Sequence, residues 1–147
     1  MLKPLRIGHV VLKVRDLDRS LAFYRDLLGF RVVSELSNVM IFLAAAGDNH
    51  HDLALLRVGQ GAPSPVPTAV GLYHVAIQLA DWEAVRAAHA LLTDRGLLKG
   101  AIDHGVSRSL YTADPDGNEI ELYCDAPREA WEGRVDEVMT VKPLVID

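Results

Sequence analysis

The pattern of apolar and polar positions predicts a series of short strands, and the last of them is the clearest. Over residues 119–123, Glu119, Glu121 and Tyr123 alternate with Ile120 and Leu122, which gives the strand one polar and one apolar face. The preceding Asp-Pro-Asp-Gly sequence at residues 114–117 predicts a tight turn, because proline presets φ and glycine tolerates a positive φ. Because burying a carboxylate alone among apolar neighbours is costly, we expect a glutamate in the middle of this strand to have a partner.

The first half of the chain predicts one helix among four strands. A strand over residues 7–14 is followed by Asp16 and Asp18, either of which could cap a helix over residues 19–28 that Gly29 ends. Strands are then predicted over residues 30–34, 39–44 and 51–58, with a polar break at residues 47–50. The order is β-α-β-β-β.

The same order restarts in the second half, after a connector rich in proline and glycine. Residues 72–79 predict a strand, Asp81 a helix cap, residues 82–94 a helix and Gly96 its end. His9 and His74 occupy the same place in the two first strands, so the chain contains a diverged repeat. We therefore expect an α+β fold of two paired βαβββ modules in one domain of 147 residues, divided as follows: first module 5–58, linker 59–71, second module 72–125 and C-terminal tail 126–147. The tail could pack on the domain or cross to a second subunit.

Composition narrows the function without identifying it. The formal net charge of −5 argues against general affinity for nucleic acid or an anionic membrane. Cys124 is the only cysteine, which excludes an intrachain disulfide and favours a reducing compartment. The sequence contains no recognisable signal peptide and no apolar run long enough to cross a bilayer, so we expect a cytoplasmic protein.

Three side chains predict a metal site. If the two halves face each other around a pseudo-twofold axis, His9, His74 and Glu121 converge on one concave surface. Two imidazoles and one carboxylate leave coordination positions open, as in non-haem Fe(II) sites, although Mn(II) or Zn(II) could bind the same set. A lone histidine in an amphipathic strand is more often a hydrogen-bonded packing residue. The repeat favours ligation, because it places both histidines at equivalent positions.

These residues resemble the vicinal oxygen chelate superfamily, which includes glyoxalase I, bleomycin-resistance and fosfomycin-resistance proteins and the type I extradiol dioxygenases. The similarity covers roughly residues 5–125 and includes the Asp-Pro-Asp-Gly turn, the Glu-Leu-Tyr that ends the strand after it, and Phe-Tyr with Leu-Gly-Phe at residues 23–30. The resemblance implies that the paired modules form a metal-binding cup with His9, His74 and Glu121 as ligands. It also implies a homodimer.

Three further details resemble the single-domain extradiol, or catechol 2,3-dioxygenase-like, branch. His-Asp-Leu-Ala-Leu at residues 51–55 is similar to a strand in which the histidine is an acid–base group near bound oxygen, which implies that role for His51. Tyr111 lies where those enzymes place a tyrosine that hydrogen-bonds the substrate. His104, before Gly105, resembles a histidine of their substrate pocket. His50 and His89 are expected to be structural, packing or solvated.

The resemblance implies an Fe(II)-dependent dioxygenase that uses O2 to open a catechol-like aromatic diol. Glyoxalase I uses a fourth ligand, a carboxylate on the last strand of its first module, and here that strand is apolar over residues 53–56. Two alternatives remain open. One is an oxygen-independent, metal-dependent isomerase, epimerase or thiol transferase of the same superfamily, and the other is a metal-free binding protein of the bleomycin-resistance type.

Overall fold

The computed structural model describes residues 1–47 and 49–146. Asp48, in the predicted polar break, and Asp147, at the end of the predicted tail, lie outside the described residues. The chain forms two compact units. Unit 1 comprises Met1–Ala69 with Asp114–Asn118, and unit 2 comprises Val70–Ala113 with Glu119–Asp147. The predicted α+β class is confirmed, because the structure combines two sheets with a few helices.

Unit 1 contains a four-stranded sheet in the order β1-β4-β3-β2. Strands β1 and β4 are parallel, and the other neighbours are antiparallel. The core side chains include Leu43, Ala54 and Leu55, all buried. In chain order the elements are β1 (Val10–Val14), α1 (Leu17–Leu21), a π-helical turn (Ala22–Leu27), β2 (Arg31–Leu36), β3 (Met40–Ala44) and β4 (Leu53–Arg57).

The first helix differs from the predicted one in its start and its geometry. Of the two candidate caps, Asp16 is the one that accepts a hydrogen bond, from the backbone N–H of Arg19, so the helix begins at Leu17. Its second half is π-helical, with the Leu28 N–H donating to the carbonyl of Phe23. Apolar periodicity cannot separate an α-helix from a short π-helical turn, because both can bury the same residues.

Unit 2 contains a five-stranded sheet in the order β5-β8-β7-β6-β9. Strands β5 and β8 are parallel, and the others are antiparallel. Asp81 caps α2 as predicted, accepting from the N–H of Ala84 at 2.9 Å. In chain order the elements are β5 (His74–Gln78), α2 (Trp82–Asp94), β6 (Gly100–Asp103), β7 (Ser107–Ala113), β8 (Glu119–Asp125), α3 (Arg128–Trp131), α4 (Val135–Val138) and β9 (Lys142–Pro143).

The strands that were predicted to carry histidines are shorter than expected. Strand β1 begins at Val10, so His9 precedes it, and Ile7 is 87% exposed. Strand β4 begins at Leu53, after His51, whereas His74 is the first residue of β5. Alternation shows which side a residue would face, but a strand also needs a neighbour to accept its hydrogen bonds. The tail packs within unit 2, where β9 pairs with β6.

The Asp-Pro-Asp-Gly turn belongs to unit 1 and is fixed by buried carboxylates. Asp114 accepts from the backbone N–H groups of Asp116 and Asn118, from the Asn118 side-chain amide and from the Tyr24 hydroxyl, at 2.8 to 2.9 Å. Asp116 pairs with Arg15 at 2.8 Å and with Arg19. Gly117 has φ of 91°, as its turn position requires. The turn therefore fixes the point at which β8 begins.

None of the helices in the described residues combines the length and the apolar character that a transmembrane helix requires.

Candidate active site

The parallel pairing of β5 with β8 sets His74 beside two glutamates. His74 is in register with Glu119, and Ala76 with Glu121, so the three polar side chains share one face of the sheet. The Nε2 atom of His74 lies 2.9 Å from Oε2 of Glu121. Glu121 is buried, with 8% of its surface exposed. The histidine is thus the partner that this buried carboxylate needs.

The spacing of these two atoms fits a divalent metal. Two ligand atoms about 2.1 Å from a metal ion and at right angles to each other are about 3 Å apart. The 2.9 Å separation of His74 Nε2 and Glu121 Oε2 matches that value. His74 Nδ1 is buried and has no hydrogen-bond partner among the described residues. An imidazole nitrogen and a carboxylate oxygen suit Fe(II), Mn(II) and Zn(II).

Tyr111 and His104 extend this group along the sheet. Strand β7 is antiparallel to β8 and places Tyr111 opposite Glu121. The Tyr111 hydroxyl lies 2.8 Å from His104 Nε2 and 3.4 Å from Glu121 Oε1. Burial and the neighbouring Glu121 carboxylate raise the pKa of Tyr111 to about 12. Tyr111 is therefore a neutral phenol at neutral pH and can donate a proton in a hydrogen bond.

A tight turn and the C-terminal tail hold His104 in place. The N–H of His104 donates to Ser107, and its carbonyl accepts from Thr140. Gly105 has φ of 75°, and a Cβ at this position would lie 2.0 Å from the carbonyl oxygen of Val138. Only glycine fits so close to the tail, so the tail contributes directly to the position of His104.

In unit 1, three histidines form a second group. The ring centroids of His9 and His51 are 4.4 Å apart, and the ring of His51 stands edge-on to Phe42 at 5.2 Å. The Nδ1 atoms of His50 and His51 are 2.6 Å apart, so one of them donates a hydrogen bond to the other. Partial burial lowers the pKa of His51, and the neighbouring His9 and His50 act in the same direction. The lowered pKa favours the neutral form of His51, which is able to accept a proton.

The structure groups the predicted residues within each unit. His74, Glu121, Tyr111 and His104 lie together in unit 2, and His9 lies beside His51 in unit 1. Over residues 1–47 and 49–146, no group of three or more His, Cys, Asp or Glu side chains is arranged to hold a metal ion. The triad of His9, His74 and Glu121 stays a prediction.

Sequence reasoning missed Glu119 and the partner of His50. Alternation had placed Glu119 on the face of Glu121, but only the pairing of β5 with β8 shows that it lies beside His74. The bond between His50 and His51 has no signal in the sequence beyond their adjacency.

Comparison with known proteins identifies relatives. A sequence model of the glyoxalase/bleomycin resistance protein/dioxygenase superfamily matches residues 6–122. The catechol-2,3-dioxygenase of Bacillus subtilis (strain 168) is 39% identical over 127 residues, covering 86% of this chain and 44% of that protein. The biphenyl-2,3-diol 1,2-dioxygenase 3 of Rhodococcus globerulus is 37% identical over 122 residues, covering 82% of this chain and 63% of that protein.

This chain therefore spans less than two thirds of the length of either relative. Among solved structures, the lactoylglutathione lyase of Agrobacterium tumefaciens has a TM-score of 0.61 at 26% identity, covering 82% of this chain and 94% of that one.

Proposed function

Because the chain belongs to the glyoxalase/bleomycin resistance protein/dioxygenase superfamily, we propose that it is an extradiol dioxygenase that opens a catechol-like aromatic diol with O2. The relatives named as catechol and biphenyl-diol dioxygenases support this activity. The observation that carries it is the position of Tyr111, whose hydroxyl lies between His104 and Glu121. A neutral phenol beside a potential metal ligand suits the recognition of a diol oxygen.

The proposed metal ligands are His9, His74 and Glu121, with Fe(II) as the metal and Mn(II) as the alternative. The observed spacing of His74 and Glu121 supports this assignment for two of the three. When bound, the metal supplies Lewis acidity toward the diol hydroxyls and the redox chemistry that O2 requires. The protein supplies orientation and proton transfer.

Tyr111 and His104 orient the substrate. If His104 donates its Nε2–H to the Tyr111 oxygen at 2.8 Å, the phenol proton, which points to Glu121 Oε1 at 3.4 Å in this structure, can be redirected to a substrate oxygen. His104 then lines the pocket and also fixes the direction in which Tyr111 donates. His51 accepts a proton from a diol hydroxyl and later returns it, which its lowered pKa favours at neutral pH.

Oxygen uptake tests the proposal. Protein reconstituted with Fe(II) under anaerobic conditions is mixed with air-saturated catechol and with alkyl- and aryl-substituted catechols, and O2 consumption and the yellow ring-fission product are followed together. We expect His51→Ala to lower kcat/KM by about 10²- to 10⁴-fold, and Tyr111→Phe to lower it by about 10-fold through one lost hydrogen bond. His89→Ala, on α2, is the matched control and retains activity. Metal-loaded protein that consumes no oxygen with any diol contradicts the proposal.

A second candidate is an oxygen-independent, metal-dependent isomerase. The structural similarity to a lactoylglutathione lyase favours it, whereas the absence of Asp and Glu from β4 argues against it. Turnover of a thiohemiacetal under argon that survives His51→Ala would support this candidate. Protein that binds no metal after reconstitution would support a binding protein instead. A homodimer and a cytoplasmic location remain predictions.

A further inference from the structure

Glu119 of unit 2 lies beside His74, and the proposed function gives it no role. Glu119 is in register with His74 across β5 and β8. Its Oε1 atom lies 3.6 Å from His74 Nδ1, just beyond hydrogen-bond distance. Nδ1 is buried and lacks a hydrogen-bond partner among the described residues, while Nε2 faces Glu121 at 2.9 Å. The imidazole therefore has a carboxylate on each side, the closer one facing Nε2.

The proton of the neutral His74 ring has two possible positions. When neutral, an imidazole carries its proton on one nitrogen only. In one tautomer the proton lies on Nε2, which faces Glu121 at 2.9 Å, and Nδ1 is bare. A metal at Nε2 would take the place of that proton. The ring proton would then reside on Nδ1, buried and in need of an acceptor.

Glu119 is the acceptor within reach. Glu121 faces Nε2, and Glu119 faces Nδ1 across a gap that a small side-chain movement closes. The side chain of Glu119 is 33% exposed and so retains freedom to move. In metal sites, a ligating histidine commonly donates its second ring N–H to a carboxylate, which fixes the tautomer and the ring orientation.

We propose that Glu119 is a positioning residue that accepts the Nδ1–H hydrogen bond of His74 when Nε2 binds the metal. With a metal on Nε2, the ring proton of His74 resides on Nδ1, and Glu119 holds it there. Glu119 acts through His74 and does not itself ligate. This inference rests on the proposed metal site, and it adds a residue that selects the metal-binding tautomer.

Metal affinity is the first test. The full chain is titrated with Mn(II), and free Mn(II) is followed by electron paramagnetic resonance. We expect Glu119→Ala to weaken Mn(II) binding by about 10- to 100-fold. Glu119→Gln keeps an acceptor oxygen without the charge, so its affinity should fall between those of wild type and Glu119→Ala. Glu129→Gln, an exposed glutamate of unit 2, is the control and should leave affinity unchanged. Unchanged Mn(II) affinity in Glu119→Ala overturns the inference. A loss of Mn(II) affinity in Glu119→Gln as large as that in His74→Ala also overturns it, because such a loss would make Glu119 a metal ligand.

The tautomer is the second test, and it does not depend on activity. Long-range ¹H–¹⁵N spectra of protein labelled at the histidine rings are recorded without metal and with Zn(II), which is diamagnetic. We expect His74 to carry its ring proton on Nδ1 in the Zn(II) form. In Glu119→Ala with Zn(II), the Nδ1 proton should exchange faster with water. Retention of the proton on Nε2 in the Zn(II) form overturns the inference.

The two proposals fail in different ways. Loss of affinity in Glu119→Ala, in a protein that never consumes O2, would refute the dioxygenase and leave the role of Glu119 intact. If the protein is an active dioxygenase but its Mn(II) affinity and its His74 tautomer do not depend on Glu119, the role of Glu119 is refuted and the dioxygenase proposal stands.

Discussion

Replacement of Asp114 by asparagine removes the charge at the centre of the turn that starts β8. Asp114 is 4% exposed, and its two oxygens accept four hydrogen bonds. In Asp114→Asn, one oxygen becomes an NH2 group. If the remaining oxygen keeps the two backbone N–H groups, the new NH2 faces the Asn118 side-chain amide, which is also a donor, and the Tyr24 hydroxyl, which must turn to accept.

The loss of folding free energy in Asp114→Asn follows from these contacts. A hydrogen bond to a charged group contributes about 1.5 to 3 kcal/mol, and a buried donor left without an acceptor costs about 1 to 3 kcal/mol. Loss of the charge and one donor–donor contact together predict a destabilisation of about 3 kcal/mol. For a chain of this size, that corresponds to a fall in Tm of about 6 to 12 °C.

Urea unfolding followed by tryptophan fluorescence measures the change in the free energy of unfolding. Asp94→Asn, at the exposed end of α2, is the matched control and should change it by no more than about 0.5 kcal/mol. Tyr24→Phe removes only one of the four bonds and should cost about 1 to 2 kcal/mol. If Asp114→Asn were no more destabilising than the control, the buried carboxylate would not be what fixes the turn.

Two further predictions concern pH and the tail. Burial and Asp114 raise the pKa of Tyr24 well above its ordinary value near 10, so the folded state retains a proton that the unfolded state loses. The contribution of Tyr24 is complete below about pH 10 and is lost as the pH rises through the folded pKa, at up to about 1.4 kcal/mol per pH unit. Above pH 10, the stability gap between wild type and Tyr24→Phe should therefore narrow, and a constant gap would contradict this reasoning. Gly105→Ala should lower stability by about 1 to 3 kcal/mol, because of its positive φ and the contact with Val138. It should also displace His104, visible as a changed ring chemical shift, whereas Gly47→Ala, where a Cβ meets nothing within 4 Å, serves as control.

Local chemistry in the sequence predicted a helix cap and a tight turn of the fold. Asp81 caps its helix and Asp114–Asn118 form the turn, because each depends on residues a few positions away. The repeat correctly predicted one βαβββ order in each half. Strand ends were less accurate: His9 and His51 lie just outside strands that were expected to contain them. Those ends depend on which strand is adjacent, and that is not a local property.

The site could be predicted only in part, for the same reason. The structure places Tyr111 opposite Glu121, since both belong to one hairpin, and their roles stay predictions. The place of Glu119 beside His74 required the parallel pairing of strands distant in sequence. The contribution of the tail to His104 required contacts that no periodicity predicts.

The membership of the turn in unit 1 also has a consequence for the order of folding during synthesis. Tyr24 and Arg15 find their partners 90 and 101 residues later in the chain. At about 5 to 20 residues per second, a ribosome needs several seconds to reach that turn after residue 69 has been made. During that interval Tyr24 lacks its Asp114 acceptor and Arg15 lacks the Asp116 carboxylate. These bonds of unit 1 can form only when the turn at Asp114–Asn118 has been translated.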